Sequence, residues 1–174
     1  MTEIEKQSIE RSTAEGFLLI YNHQHGTDYR IEKVAGPGES PDVRCIDSRN
    51  DALLLEITLI EDNKDGIQAA LGRSGHKSFN ATRELLRKVR EGKAEMPINR
   101  LDGNVSEILI KRLRQKYRMR YGKNVALVVR ETSLAWDWDL VLPKIQDEFR
   151  NGPVPFDRGV WLLSRSRERL IRVF

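Results

Sequence analysis

Pro41-Asp42-Val43-Arg44-Cys45-Ile46-Asp47-Ser48-Arg49-Asn50-Asp51-Ala52-Leu53-Leu54-Leu55-Glu56-Ile57-Thr58-Leu59-Ile60 reads as two strands joined by a tight turn. Val43 to Asp47 is a short strand, Ser48-Arg49-Asn50 the turn, and Ala52 to Ile60 a strong aliphatic strand. A three-residue turn sets Asp47 opposite Asp51 and, with the register continued, Asp42 opposite Glu56. Side chains alternate along a strand, so Asp42, Glu56 and Thr58 then share one face. A two-residue turn would divide the two carboxylates between opposite faces.

Glu56 stands inside Leu53-Leu54-Leu55-Glu56-Ile57-Thr58-Leu59-Ile60. A carboxylate in such company is costly unless it is paired or bound to metal. Asp42 and Glu56 together offer hard oxygen ligands to one Mg²⁺ or Mn²⁺ ion. An ion held there can activate water and stabilise charge developing on a phosphate. The structural alternative is a Glu56 on a solvated face, or paired with a buried arginine.

Outward from the hairpin, residues 3 to 24 read as a helix, with Ala14, Phe17, Leu18 and Tyr21 on one stripe and Gly26 as its stop. Thr27 to Val34 alternates like a strand, and residues 35 to 41 are a loop by composition. After the hairpin, residues 61 to 77 read as irregular, Asn80 to Glu91 as a short basic helix, and Gly92 to Asn104 as a linker. Together they form a basic insertion at about 61–104. Val105 to Tyr121 is a clear helix stopped at Gly122, and Val125 to Arg130 a strand of the buried type. Leu140 to Phe149 is helical, and Val160 to Leu163 and Leu170 to Phe174 are two more strands. This order predicts one α/β domain over residues 1–174, a three-layer sandwich with a central mixed sheet flanked by helices. The first three strands form an antiparallel meander, and the helix from Val105 is the crossover that delivers the fourth.

The 174 residues, 39% hydrophobic and 32% charged, suit a single domain with a proper core. No apolar run approaches the roughly 18 residues that span a bilayer, and Met1 to Lys6 lacks the apolar stretch of a signal peptide. Cys45 is the single cysteine, so no internal disulfide forms, and no Cys/His cluster has zinc-ligand spacing. A cytoplasmic protein with no membrane partner is the simple expectation. The net charge of +4 is uneven, since Arg73 to Lys123 holds 15 Lys/Arg against 5 Asp/Glu and the remainder 15 against 21. A +10 segment beside a −6 remainder is the pattern of a face that meets polyphosphate, or else of solvated cationic helices.

Pro41-Asp42 followed by Glu56-x-Thr58 across a hairpin resembles the PD-(D/E)XK nuclease superfamily, and the order helix, three strands, helix, strand is similar to its common core. The resemblance covers roughly residues 3 to 131. It implies a restriction-endonuclease-like fold, metal-ligand roles for Asp42 and Glu56, and the Ile57 carbonyl as a further oxygen ligand. Thr58 departs from the family, whose third motif residue is lysine; a hydroxyl cannot supply positive charge to the attacking hydroxide. Some branches carry Glu-x-Thr with the lysine moved to the helix before the fourth strand. On that helix, at about 100° per residue, Lys116 falls within the stripe of Val105, Leu109 and Leu113, while Lys111 points away. Lys116 is therefore either the displaced catalytic lysine or a snorkelling side chain. Glu10 falls inside the first-helix stripe and is the candidate for the family's first-helix glutamate, with a rim salt bridge as the alternative and Glu3 as a second choice.

The expected activity is hydrolysis of DNA phosphodiester bonds with Asp42, Glu56, Lys116 and Glu10 as catalytic residues, the basic segment gripping nucleic acid. The alternative is a catalytically inactive module of the same fold that binds nucleic acid or a protein partner. The C-terminal edge strands could support a homodimer, though nothing demands one. Of the weaker signals, His23 and His25 suit a polar helix end, His76 an ordinary loop, and Trp136 and Trp138 a loop or helix start. Asp157 suits a turn cap, and Tyr117 and Tyr121 suit packing.

Overall fold

The computed structural model describes residues 2–60, 91, 98–131, 138–152, 154–164 and 168–174. Helix α1 spans Glu3–His25. A capping box starts it: Glu5 N–H donates to Thr2 Oγ1 (3.3 Å) and Thr2 N–H to Glu5 Oε2 (2.9 Å). Gly26 ends it in the left-handed region (φ 62°). Its inward stripe holds Ala14, Phe17, Leu18 and Tyr21, as the spacing predicts.

Strand β1 covers Arg30–Val34, three residues shorter at its start than the predicted Thr27 to Val34. Asn22 is the reason. Its side chain receives Thr27 Oγ1–H (2.8 Å) and Tyr29 N–H (3.1 Å) and donates to the Tyr29 carbonyl (2.8 Å), so this stretch is bonded to the helix end. Strands β2 (Val43–Ile46) and β3 (Ala52–Ile60) form the expected hairpin. Its register pairs Val43 with Leu55 and Ile46 with Ala52, which carries Asp42 opposite Glu56. Asn50, at φ 65°, takes the left-handed position that closes a three-residue turn, and its N–H donates to the Asp47 carbonyl (3.1 Å).

Helix α2 covers Ile98–Tyr117, so residues 98–104, expected as the end of a linker, are helical. Gly103 and Asn104 disfavour a helix by only about 1 kcal/mol or less each, which packing of the following turns outweighs. The helix also stops short of the predicted Tyr121. Arg118 N–H donates to the Gln115 carbonyl (3.3 Å) and Met119 N–H to that of Lys116 (3.1 Å), tightening the last turn. The chain then reverses through Asn124 (φ 64°), whose carbonyl receives Leu54 N–H (2.8 Å) and launches β4 (Val125–Glu131). Asp157 caps that entrance, accepting from the N–H groups of Asn124 and Val125 (both 2.8 Å). Helix α3 (Trp138–Phe149) begins two residues before the predicted Leu140. Strands β5 (Val160–Leu163) and β6 (Leu170–Arg172) complete the sheet. The rest of the expected insertion, residues 61–90 and 92–97, lies outside the described residues, as do His76 and Trp136.

Among the described residues, six strands lie in chain order β1-β2-β3-β4-β5-β6. β1, β2 and β3 form the antiparallel meander, β4 runs parallel to β3 and to β5, and β6 is antiparallel to β5. α1 covers one face through Phe17, Leu55, Val128 and Trp161. α2 and α3 cover the other through Leu109, Leu113, Ile145, Leu127 and Val129. No described helix is long and apolar enough to cross a membrane.

One mismatch in strand length positions the site. β2 begins at Val43, whereas β3 continues to Ile60 and, among the described residues, pairs there with β4 alone. Leu54 N–H points to β4, so by alternation the N–H and C=O of Ile57 point to the side where β2 has ended. The sheet therefore has a notch beside Ile57, roofed by α1 on one face and α2 on the other.

Candidate functional site

In continued register Ile57 would face Pro41, which ends the ladder as the chain enters the 35–41 loop. The Asp42 side chain substitutes for that strand, its Oδ2 accepting Ile57 N–H at 2.7 Å. Asp42 is thus fixed to the sheet at the mouth of the notch and is 8% exposed. Glu56, 3% exposed, stands beside it on the α2 side.

Lys116 comes to Glu56 from the last turn of α2. Its ammonium forms an ion pair with Glu56 Oε1, and Ser40 Oγ–H donates to Oε2 (2.9 Å). Glu56 therefore does not face solvent, and among the described residues it pairs with a lysine rather than an arginine. The sheet's buried arginine, Arg130, lies on the α1 face and donates to Ser12 Oγ (3.3 Å) and Thr13 Oγ1 (3.1 Å). Lys116 lies inward with Leu109 and Leu113, as the helical spacing predicts. Its side chain remains 23% exposed.

Glu10 approaches from α1. It is 5% exposed and paired with Lys6 one turn earlier (3.3 Å). Burial first, and the charge of Asp42 second, push its carboxyl up from an ordinary 4.5 to about 7. Asp42 is raised as well, by burial and then by Glu56, against the opposing pull of Ile57 N–H, Lys116 and Lys6. Burial works to lower Lys6, but Glu10, Asp42 and Glu3 outweigh it and the net shift is upward. The notch thus collects three carboxylates, Glu10, Asp42 and Glu56, and two lysines, Lys6 and Lys116. Like charges drawn together this way raise each other's proton affinity, and added cationic charge would relieve them.

Lys6, Ser40 and Tyr121 escape the sequence reading. Lys6 carries the signal of an i,i+4 partner for Glu10, and Ser40 that of adjacency to Pro41-Asp42. Tyr121 reads only as a packing residue, and it does pack on Phe156 (4.7 Å between ring centres). Its hydroxyl is also raised, by burial and then by neighbouring Glu56. Thr58 shares the Glu56 face by register. Glu3 is exposed, and His25 packs at a tilt on Tyr21 (4.4 Å between ring centres) and edge-on to Trp161 (5.7 Å). Among the described residues, no group of three or more His, Cys, Asp or Glu side chains is disposed to hold a metal ion.

Comparison with known proteins finds no matching family model, no matching curated protein and no matching solved structure.

Proposed function

We propose that this chain is a metal-dependent nuclease of the PD-(D/E)XK type, with a restriction-endonuclease-like core, that hydrolyses phosphodiester bonds in DNA. The observation that carries this reading is the meeting of Lys116 and Glu56 beside Asp42. A lysine from the crossover helix reaches the hairpin carboxylates where Thr58 stands in the motif's own lysine position. The donor chemistry suits a hard divalent cation: carboxylate oxygens, a main-chain carbonyl at Ile57 and, among the described residues, no sulfur or imidazole ligand. Asp42 and Glu56 would hold Mg²⁺ or Mn²⁺ with the Ile57 carbonyl as a further ligand and water completing the shell. When bound, such an ion supplies an activated water and neutralises charge at the phosphate.

The chain's own groups do the rest. The Ile57 N–H fixes the orientation of Asp42. Lys116 brings positive charge and N–H donors to the attacked phosphate, the service that Thr58 cannot perform. Before an ion binds, Glu10 holds a proton near neutral pH next to Asp42. Exposed Lys111, Arg112, Arg118, Arg120 and Lys123, on α2 and the turn after it, offer charge to a nucleic-acid backbone without reading its sequence.

A second reading has its own support. Thr58 and the full engagement of both Glu56 oxygens within the chain suit an inactive nuclease-fold module that binds nucleic acid or a protein. A cleavage assay separates the two. Single- and double-stranded DNA and RNA are incubated with wild type, Asp42→Ala, Glu56→Ala and Lys116→Ala in Mg²⁺ and in Mn²⁺. Cutting by wild type, reduced about 100-fold or more in each variant, is the expected result. Intact substrates with every metal would sink the enzyme reading, and full activity in Lys116→Ala would remove that residue's role.

A further inference from the structure

Glu56 has its two oxygens committed to different partners, Lys116 on Oε1 and Ser40 on Oε2. A divalent ion reaching Oε1 would meet the ammonium at hydrogen-bond range. Two cations that close, in a site largely closed to water, repel strongly. One must leave. Glu56 sits mid-strand, with its side chain only 4% exposed, and has nowhere to go. Lys116 has a flexible four-carbon stem, stands one residue from the end of α2, and is already 23% exposed. It can swing outward at little steric cost.

We infer that Lys116 is an internal counter-ion that holds the cation position on Glu56 and is released when a divalent metal loads. This rests on the metal-dependent reading above and adds an order to it. Release also makes the ammonium available to a phosphate only after the metal is in place. Lys116 is a positioning and regulatory residue in this respect, over and above any contact with substrate.

Mn²⁺ binding to the full chain, followed by loss of the free-ion signal in electron paramagnetic resonance, tests the exchange without recourse to activity. Lys116→Met removes the competing charge and should bind Mn²⁺ at least roughly ten-fold more tightly than wild type, about 1.4 kcal/mol. Lys116→Arg keeps the charge and should stay near wild type. Lys116→Gln, which retains a donor for Glu56, serves as the neutral variant should Lys116→Met not fold. In parallel, mass spectrometry should find Lys116 acetylated more slowly in chelator than in Mg²⁺. Wild-type binding with no gain in either neutral variant, or acetylation indifferent to Mg²⁺, overturns the exchange and leaves the metal site standing. No Mn²⁺ binding by any form defeats the metal-dependent reading and the exchange together.

Discussion

The β2–β3 hairpin carries an opposed pair of carboxylates at each end, and the two pairs have different surroundings. At the turn, Asp51 is exposed and Asp47 half-buried, and Asp47 Oδ1 accepts the N–H groups of Arg49 (2.9 Å) and Asp51 (2.8 Å). These are the local hydrogen bonds of a turn former, made in reach of water. At the notch, Asp42 and Glu56 are enclosed by α1 and α2, with Lys116 and Ser40 holding Glu56 and Glu10 crowding Asp42. Sequence spacing and strand register are the same in kind at the two ends. The helices laid across one end make the difference, converting a solvated pair into a charged cluster whose members depend on one another.

Removing a charge at each end is the largest test of that contrast. Lys116→Ala leaves Glu56 buried without its counter-ion and should cost about 3 kcal/mol. Asp51→Ala, in water, should stay within about 0.5 kcal/mol. Urea denaturation at neutral pH measures both, and equal losses would mean that the enclosure adds nothing to the electrostatics.

Titration should divide the ends by sign. Glu10 has a folded-state pKa near 7, above its ordinary 4.5, so the native chain binds the extra proton between those values. The resulting stabilisation is complete below about pH 4.5 and is lost as pH rises through about 7, on the order of 3 kcal/mol. Asp42, also raised, acts in the same direction. Near the turn, Asp28 is held below its ordinary value by its hydrogen bonds to Ser48, so its contribution is instead lost as pH falls through its lowered pKa. Urea midpoints of the metal-free protein between pH 4.5 and 7 should decline for wild type and flatten for Glu10→Gln. A slope that survives that substitution would assign the effect to another group.

The smallest effect concerns the turn that sets both pairs. Asn50→Ala forces a Cβ-bearing residue without Asn's local hydrogen bonding into the left-handed region and should cost about 1 kcal/mol. Asn50→Gly should be close to neutral. Thermal unfolding of the two variants compares them, and equal melting temperatures would argue against this turn geometry.

Legibility in the sequence follows the range of the forces involved. The Asp42–Glu56 pairing comes from counting through Ser48-Arg49-Asn50, because strand register is a local property of the turn. The inward position of Lys116 comes from helical periodicity in the same way. The sequence pattern puts α2 at Val105 to Tyr121 rather than Ile98–Tyr117, since Gly103 and Asn104 disfavour a helix and Arg118 to Tyr121 continues a helical composition. Packing and the need to bring Val125 beside Leu54 decide those ends, and neither is local. Ser40 and Tyr121 join Glu56 from a loop and a turn, where no periodicity signals direction. Asn22 shortening β1 belongs to the same class, a side chain taking over backbone groups.

The hydrogen bond from Ile57 N–H to Asp42 ties one amide proton of the sheet to the ionic state of the notch. That amide lies on β3, shared by both cores, and its acceptor changes strength when Asp42 gains a proton or shares its charge with a cation. Ile57 is thereby a built-in spectroscopic reporter, a single backbone resonance whose position follows events at the cluster while the strand itself stays still.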